Sequence, residues 1–174
     1  MKIKLLSIVL ATFILVGLIG CAANEQVSPT IFVRASDGAQ ITTGMHRDYI
    51  ENILEIMSEE DKSILEPSEV PYRMGLYGDA NNFIRINYNG DGVAWSIGIW
   101  CRDWTVAGGI SIGDNIQRVI NNRSFEYIEH SEWTNSYGVL LEDEENLTIL
   151  SFLYNEERNI RLIMLYSMYY AFSV

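Results

Sequence analysis

The chain has 174 residues, 48% hydrophobic and 11% aromatic, and 12 basic against 23 acidic side chains give it a formal charge of -11. A surface that acidic argues against nucleic acid and against lying on anionic lipid, because both are polyanions. The two cysteines cannot staple a small fold extensively, so one core, or two small repeated units, must supply the stability.

The chain opens on a targeting pattern. Lys2 and Lys4 precede an apolar run from Leu5 to Gly20, which closes on Leu18-Ile19-Gly20-Cys21. A charged end stays cytoplasmic, the apolar stretch enters the translocon, and small Gly20 suits a peptidase cutting before a nucleophilic cysteine. The pattern resembles a bacterial lipoprotein signal peptide over residues 1–20. That resemblance implies that Cys21 becomes the mature N-terminus, thioether-linked to diacylglycerol, on the extracytoplasmic side of the cell membrane. Two or three acyl chains would hold it stably. The alternatives are an uncleaved anchor, for which the run is marginal, and a plain secretory signal. Without residues 1–20, 10 basic and 23 acidic side chains remain, a charge of -13. Residues 21–37, with polar Asn24 to Thr30, read as the lipidated cysteine and its tether.

Residues 38–107 read as a first unit. Met45, Tyr49, Ile50, Ile53, Leu54 and Met57 recur at spacings of three and four, which predicts an amphipathic helix over 44–57 with Thr43 as cap. A second helical turn is expected from Ser58, with Asp61 completing a capping pair. A strand around 71–77 leads into a hairpin over 82–101, whose Asn89-Gly90-Asp91-Gly92 tolerates the positive φ of a tight turn. In it Trp95 alternates with Val93, Ile97, Ile99 and Cys101, leaving Ala94, Ser96, Gly98 and Trp100 on the other face.

Residues 108–174 read as a second unit. Gly108-Gly109 is a turn, and Ile116, Val119 and Ile120 mark a short helix over 114–121. Strands follow at 125–128, 137–141, 147–154 and 160–170. The uncharged 162–174 is too short to span a bilayer and reads as a buried central strand. Ile41-Thr42-Thr43-Gly44 matches Ile110-Ser111-Ile112-Gly113 at an offset of 69, and Tyr88-Asn89 matches Tyr154-Asn155 at an offset of 66. The expected fold is therefore α+β: two tandem helix-then-antiparallel-β-meander repeats with helices packed on one face of an antiparallel sheet.

The Ile-x-[Ile/Thr]-Gly motif, followed by a short helix and antiparallel strands, is similar to the repeats of β-lactamase-inhibitory-protein-like folds. The same unit occurs in the outer-membrane lipoprotein family SmpA/OmlA. The likeness would cover about residues 38–170 and implies a non-catalytic binding or scaffolding module at the cell surface, without naming a target. The secreted inhibitor is disulfide-bonded, which the mature chain cannot be, so no inhibitory residue carries over.

Candidate chemistry is sparse. Cys101 reads as a small buried hydrophobe; a catalytic thiol would need a partner such as His46 or His130. Asn87 to Gly92 follows half of an EF-hand loop, but Gly98 stands where the bidentate Glu belongs, and a hairpin turn accounts for the pattern. Glu142-Asp143-Glu144-Glu145 is a solvated hairpin tip or a weak cation collector, and Asp79, Asn81 and Asn82 pose the same question. Nucleophile-elbow, phosphate-loop and zinc spacings are absent, so no catalytic residue, cofactor or metal is assigned. The aromatic residues are the best lead. Trp100 and Trp104, with Arg102 and also Arg85 and Arg161 as rim candidates, are the candidate binding residues for a protein or glycan ligand, the alternative being that the tryptophans cover a sheet edge or the seam between the units. The expectation is a lipid-anchored, non-enzymatic protein-binding module; the alternative is a solute- or cation-binding envelope lipoprotein, and an envelope hydrolase ranks below both.

Overall fold

The computed structural model describes residues 30–65, 73–123, 125, 128–131, 135–141 and 148–172. The elements are β1 (Phe32–Arg34), β2 (Gln40–Ile41), α1 (Arg47–Glu51), α2 (Glu59–Leu65), β3 (Met74–Gly78), β4 (Phe83–Tyr88), β5 (Ala94–Ile99) and β6 (Trp104–Val106). After a 3-10 turn at Ala107–Gly109 come β7 (Ile110–Ser111), α3 (Gln117–Ile120), β8 (Ile128–Ser131), β9 (Ser136–Leu141), β10 (Thr148–Tyr154), β11 (Ile160–Ser167) and α4 (Met168–Phe172). The strands form two antiparallel sheets, a four-stranded one ordered β2-β1-β6-β7 and a seven-stranded one ordered β3-β4-β5-β11-β10-β9-β8.

This overturns the expected α+β arrangement of helix-then-meander repeats with helices covering a sheet. The described helices run only four to seven residues, too short to be stable as separate helices. The first was expected over 44–57 with Thr43 as cap. It is instead capped by His46, whose Nδ1 accepts from the Asp48 N–H at 3.3 Å. Past Asn52 the chain turns away to lie along β3, where Ile56 bridges Tyr77 and the Met57 N–H donates to the Leu76 carbonyl at 3.0 Å. Ile50, Leu54 and Met57 are all buried. The apolar spacing thus encoded burial, and an unpaired strand edge took the backbone that a longer helix would have used. The capping pair at α2 is present, with Ser58 Oγ accepting from the Asp61 N–H at 3.1 Å.

Alternation builds the core. The pairings Ile84↔Ile99, Ile86↔Ile97, Ile163↔Ile99, Leu165↔Ile97, Leu150↔Leu165 and Phe152↔Ile163 place apolar side chains on one face of the large sheet. Phe32, Ile41, Trp104, Val106 and Ile110 of the small sheet join them in a single cluster. Phe32–Arg34, read from sequence as the end of the tether, is therefore part of the fold. β11 occupies the expected central position, between β5 and β10, but it ends at Ser167 and gives way to α4.

One irregularity matters for function. Asn87 pairs with Ser96 but Tyr88 pairs with Ala94, so Trp95 is an extra residue in β5. Such a bulge shifts the alternation. Ala94, not Trp95, takes the core position, fully buried.

The offsets of 69 and 66 mark a shared turn. The Gly44 N–H donates to the Ala94 carbonyl and the Ala94 N–H to the Met45 carbonyl; Gly113 with Ile160, and Ile160 with Asp114, repeat the exchange at 2.8 Å. Gly44 and Gly113 both have φ near +90° (88° and 90°), a conformation costly for any side-chain-bearing residue. The correspondence stops there: α3 has four residues, and the second meander has four strands where the first has three.

Candidate functional site

The face of the large sheet turned away from the core carries the candidate site. In β4, Phe83, Arg85 and Asn87 alternate with the core residues Ile84 and Ile86. Gly98 lies opposite both Arg85 and Met164, and Trp100 fills the space that a side chain there would take. An ideal Cβ on Gly98 would come within 2.8 Å of Trp100 Cζ3 and 3.6 Å of Leu162 Cδ1. The Trp100 ring also stacks on Phe83, with centroids 4.5 Å apart and planes 12° from parallel. Leu162, Met164 and Tyr166 continue this face across β11, all half-buried and outside the core cluster. The Tyr166 hydroxyl donates to Met164 Sδ at 3.0 Å, and burial raises its pKa.

At the hairpin end of the same face is a cleft of about 440 Å³. Its wall includes Arg73, Arg85, Asn87, Asp91, Trp95 and Ala171 of α4. The bulge places Trp95 here beside Arg85 and Asn87. The turn below is braced by Asn89, whose Oδ1 accepts from the Asp91 N–H at 3.1 Å and the Val93 N–H at 2.9 Å. Its amide donates to the Tyr170 carbonyl at 3.3 Å, tying α4 to the hairpin. The Asn89 oxygen that an EF-hand loop would direct at calcium is thus engaged by backbone, as a hairpin turn requires. Asp79 likewise accepts from the N–H groups of Asn81 and Asn82. A shallower groove along α3 offers less, since Arg118 is paired with Asp114 at 2.6 Å and the Asn122 amide donates to Ala107.

The residues singled out from sequence do not converge. Trp100 lies on the outer face as anticipated. Trp104 is only 3% exposed, locked in the core beneath the Arg34 guanidinium, 5.4 Å from its ring centroid, and cannot be a surface anchor. Arg102 is exposed but its guanidinium lies against Gly113, 3.1 Å from where a Cβ would be. Arg73 carries no sequence signal, Asn87 is read from sequence only as the start of an EF-hand-like run, and Trp95 is assigned there to the alternation of Val93, Ile97, Ile99 and Cys101. The bulge that assembles them has no sequence signal beyond the neighbouring Asn-Gly-Asp-Gly turn.

Cys101 is buried, and burial pushes its thiol up to about 11, the reverse of an activated nucleophile. His46 caps α1 and meets the Asp91 carbonyl at 3.1 Å. His130 falls on edge strand β8, four strands from β5 and so roughly 19 Å away across the sheet. Among the described residues no group of three His, Cys, Asp or Glu side chains could hold a metal ion. No described helix is long and apolar enough to cross a membrane. Cys21 and Glu142 to Glu145 lie outside the described residues.

No family model and no curated protein matches the chain. Among solved structures it is similar to a DUF4309 family protein (YjgB) from Bacillus subtilis, with 12% identity, a TM-score of 0.35, and coverage of 63% of this chain and 78% of that one. An extracellular protein containing an SCP domain from Bacillus anthracis matches at 6% identity and a TM-score of 0.40, covering 79% of this chain and 50% of the other. A cysteine-rich secretory protein (SAV1118) from Staphylococcus aureus matches at 10% identity and a TM-score of 0.41, covering 72% and 44%. The chain thus spans about half the length of the latter two, and TM-scores of this size do not establish a shared fold.

Proposed function

We propose that this chain is a lipid-anchored cell-envelope protein, held on the extracytoplasmic side through Cys21, that binds a protein partner without catalysing a reaction. The observation that carries the reading is the apolar outer face of the large sheet, where the Phe83–Trp100 stack adjoins Leu162, Met164 and Tyr166 outside the core. That face is open around Gly138, where an added Cβ would meet no described atom within 4 Å. Aromatic anchors of this kind dominate binding energy at protein interfaces. With a charge of -13 after loss of residues 1–20, the complementary partner carries an apolar patch with a basic rim.

Crosslinked co-purification from native membranes tests this, comparing wild type with Trp100→Ala. A specific partner captured by wild type and lost in the variant is expected. A partner retained by Trp100→Ala would remove the outer face from the proposal. Cys21→Ser should release the protein from the membrane; a variant that stays fixed there would refute the lipid anchor. The hairpin cleft favours a second reading, that the chain holds a solute, because it adds guanidinium and amide groups that an apolar docking face does not need.

A further inference from the structure

Charge is unevenly placed on this chain. Although 23 acidic side chains face 12 basic ones overall, the cleft inverts the ratio among the described residues, with Arg73 and Arg85 in its wall against the Asp91 carboxylate. Elsewhere Arg34, Arg47, Lys62 and Arg118 lie within 2.8 Å of an acid. Arg73 makes no ion pair among the described residues, whereas Arg85 already has a partner, so Arg73 is the guanidinium available to a ligand. A guanidinium presents a planar fork of N–H donors that matches a carboxylate in two bonds at once.

The other groups narrow the chemistry. The bulge places Trp95 in the same wall, and bulges recur where a strand must re-aim a side chain at a site. An indole presents a broad apolar surface that the C–H groups of a sugar ring can cover, leaving its hydroxyls for polar neighbours. The Asn87 amide can both donate and accept, and the Asp91 carboxylate accepts only, a combination suited to hydroxyl groups. A bare phosphate would leave the indole idle. The cleft volume of about 440 Å³ falls among small-ligand sites, which run roughly 300–1,000 Å³. The floor is preorganised by the Asn89 bonds to the turn and to α4.

We propose that the cleft between Arg73, Arg85 and Trp95 binds an acidic saccharide, a sugar ring bearing a carboxylate, with the Arg73 guanidinium on the carboxylate, Arg85 adding positive charge to the wall, and the indole under the ring. This rests on the reading that the chain holds a solute.

Titration calorimetry on the full chain in detergent micelles tests it, with trigalacturonate as the acidic probe and maltotriose and inorganic phosphate as comparisons. Saturable trigalacturonate binding is expected, weakened at least about tenfold by Arg85→Gln and by Trp95→Ala, the loss that one charge-assisted contact carries. Arg73→Gln, at an exposed position, gives the same readout should the others disturb the strand. Arg118→Gln, in the separate groove along α3 where Arg118 pairs with Asp114, should leave binding unchanged. Maltotriose or phosphate binding as tightly as trigalacturonate would overturn the acidic-sugar assignment while keeping a solute site. Trigalacturonate binding untouched by all three variants would place it outside the cleft. No binding of any probe would overturn both readings.

Discussion

Gly98→Ala probes how the outer face is built, because one added methyl group must contend with a ring. The new Cβ would lie 2.8 Å from Trp100 Cζ3 and 3.0 Å from Cη2, so the indole has to move. Moving it breaks the 4.5 Å stack on Phe83, a loss of about 0.5–1.5 kcal/mol. Against that, replacing glycine by alanine inside a strand stabilises by about 0.5–1 kcal/mol through reduced chain entropy. The two nearly cancel, so Gly98→Ala alone should change stability by no more than about 1 kcal/mol. In a Trp100→Ala background only the favourable half remains, since the 3.6 Å approach to Leu162 is an ordinary contact. The same substitution should then stabilise by about 0.5–1 kcal/mol. Urea denaturation of the four proteins closes this cycle, and near-UV circular dichroism follows the stacked pair. Equal effects in both backgrounds, with coupling under about 0.3 kcal/mol, would refute the claim that Trp100 is seated on Gly98.

Trp104→Ala should cost about 3–5 kcal/mol in the same denaturation assay, as a buried large-to-small substitution does, whereas Trp100→Ala should cost far less; equal losses would contradict their different burial. Tyr88→Phe removes the 2.6 Å contact between the buried Tyr77 and Tyr88 hydroxyls and should cost about 1–2 kcal/mol. Burial raises the pKa of both tyrosines above the usual 10.0. The unfolded chain therefore ionises first, and stability, full below pH 10, should fall as pH rises beyond it; a flat profile in alkaline denaturation would count against the buried pair. Cys101 follows the same sign from a lower start. Its thiol rises from 9.0 to about 11, so its contribution, at most about 3 kcal/mol, is whole below pH 9 and lost by about pH 11. Cys101→Ala should abolish that part of the decline.

Local alternation was readable in the sequence where strands are regular. β4, β9, β10 and the central place of β11 follow from their β-rich runs, and the Asn-Gly-Asp-Gly turn announces the hairpin. The small sheet was not readable, because β1, β2, β6 and β7 contribute only two or three residues each. Segments that short have no period, and the two local pairs β1–β2 and β6–β7 become one sheet only through tertiary pairing across 72 positions, as between Val33 and Thr105. Helical spacing misled for the opposite reason. Ile50, Leu54 and Met57 satisfy a helix pattern, but burial was available to them along β3 without a helix. Trp95 and Trp104 were misplaced together: a bulge of one residue turned the first outward, and the hidden strand β6 drew the second inward.

That exchange shapes the functional reading. A seven-stranded sheet has two faces, and the small sheet joins its core on one of them. The other holds two distinct chemistries on the same strand. At its far end Gly98 withholds a side chain and lets Trp100 lie flat against Phe83, which makes an apolar platform. At its near end the extra residue places Trp95 among arginines and amides, which makes a polar cleft. In a chain this acidic, gathering guanidiniums beside an indole does nothing for a core that the small sheet already closes. On the two readings proposed above, the strand carries two recognition surfaces, one suited to an apolar protein face and one to an anionic ring.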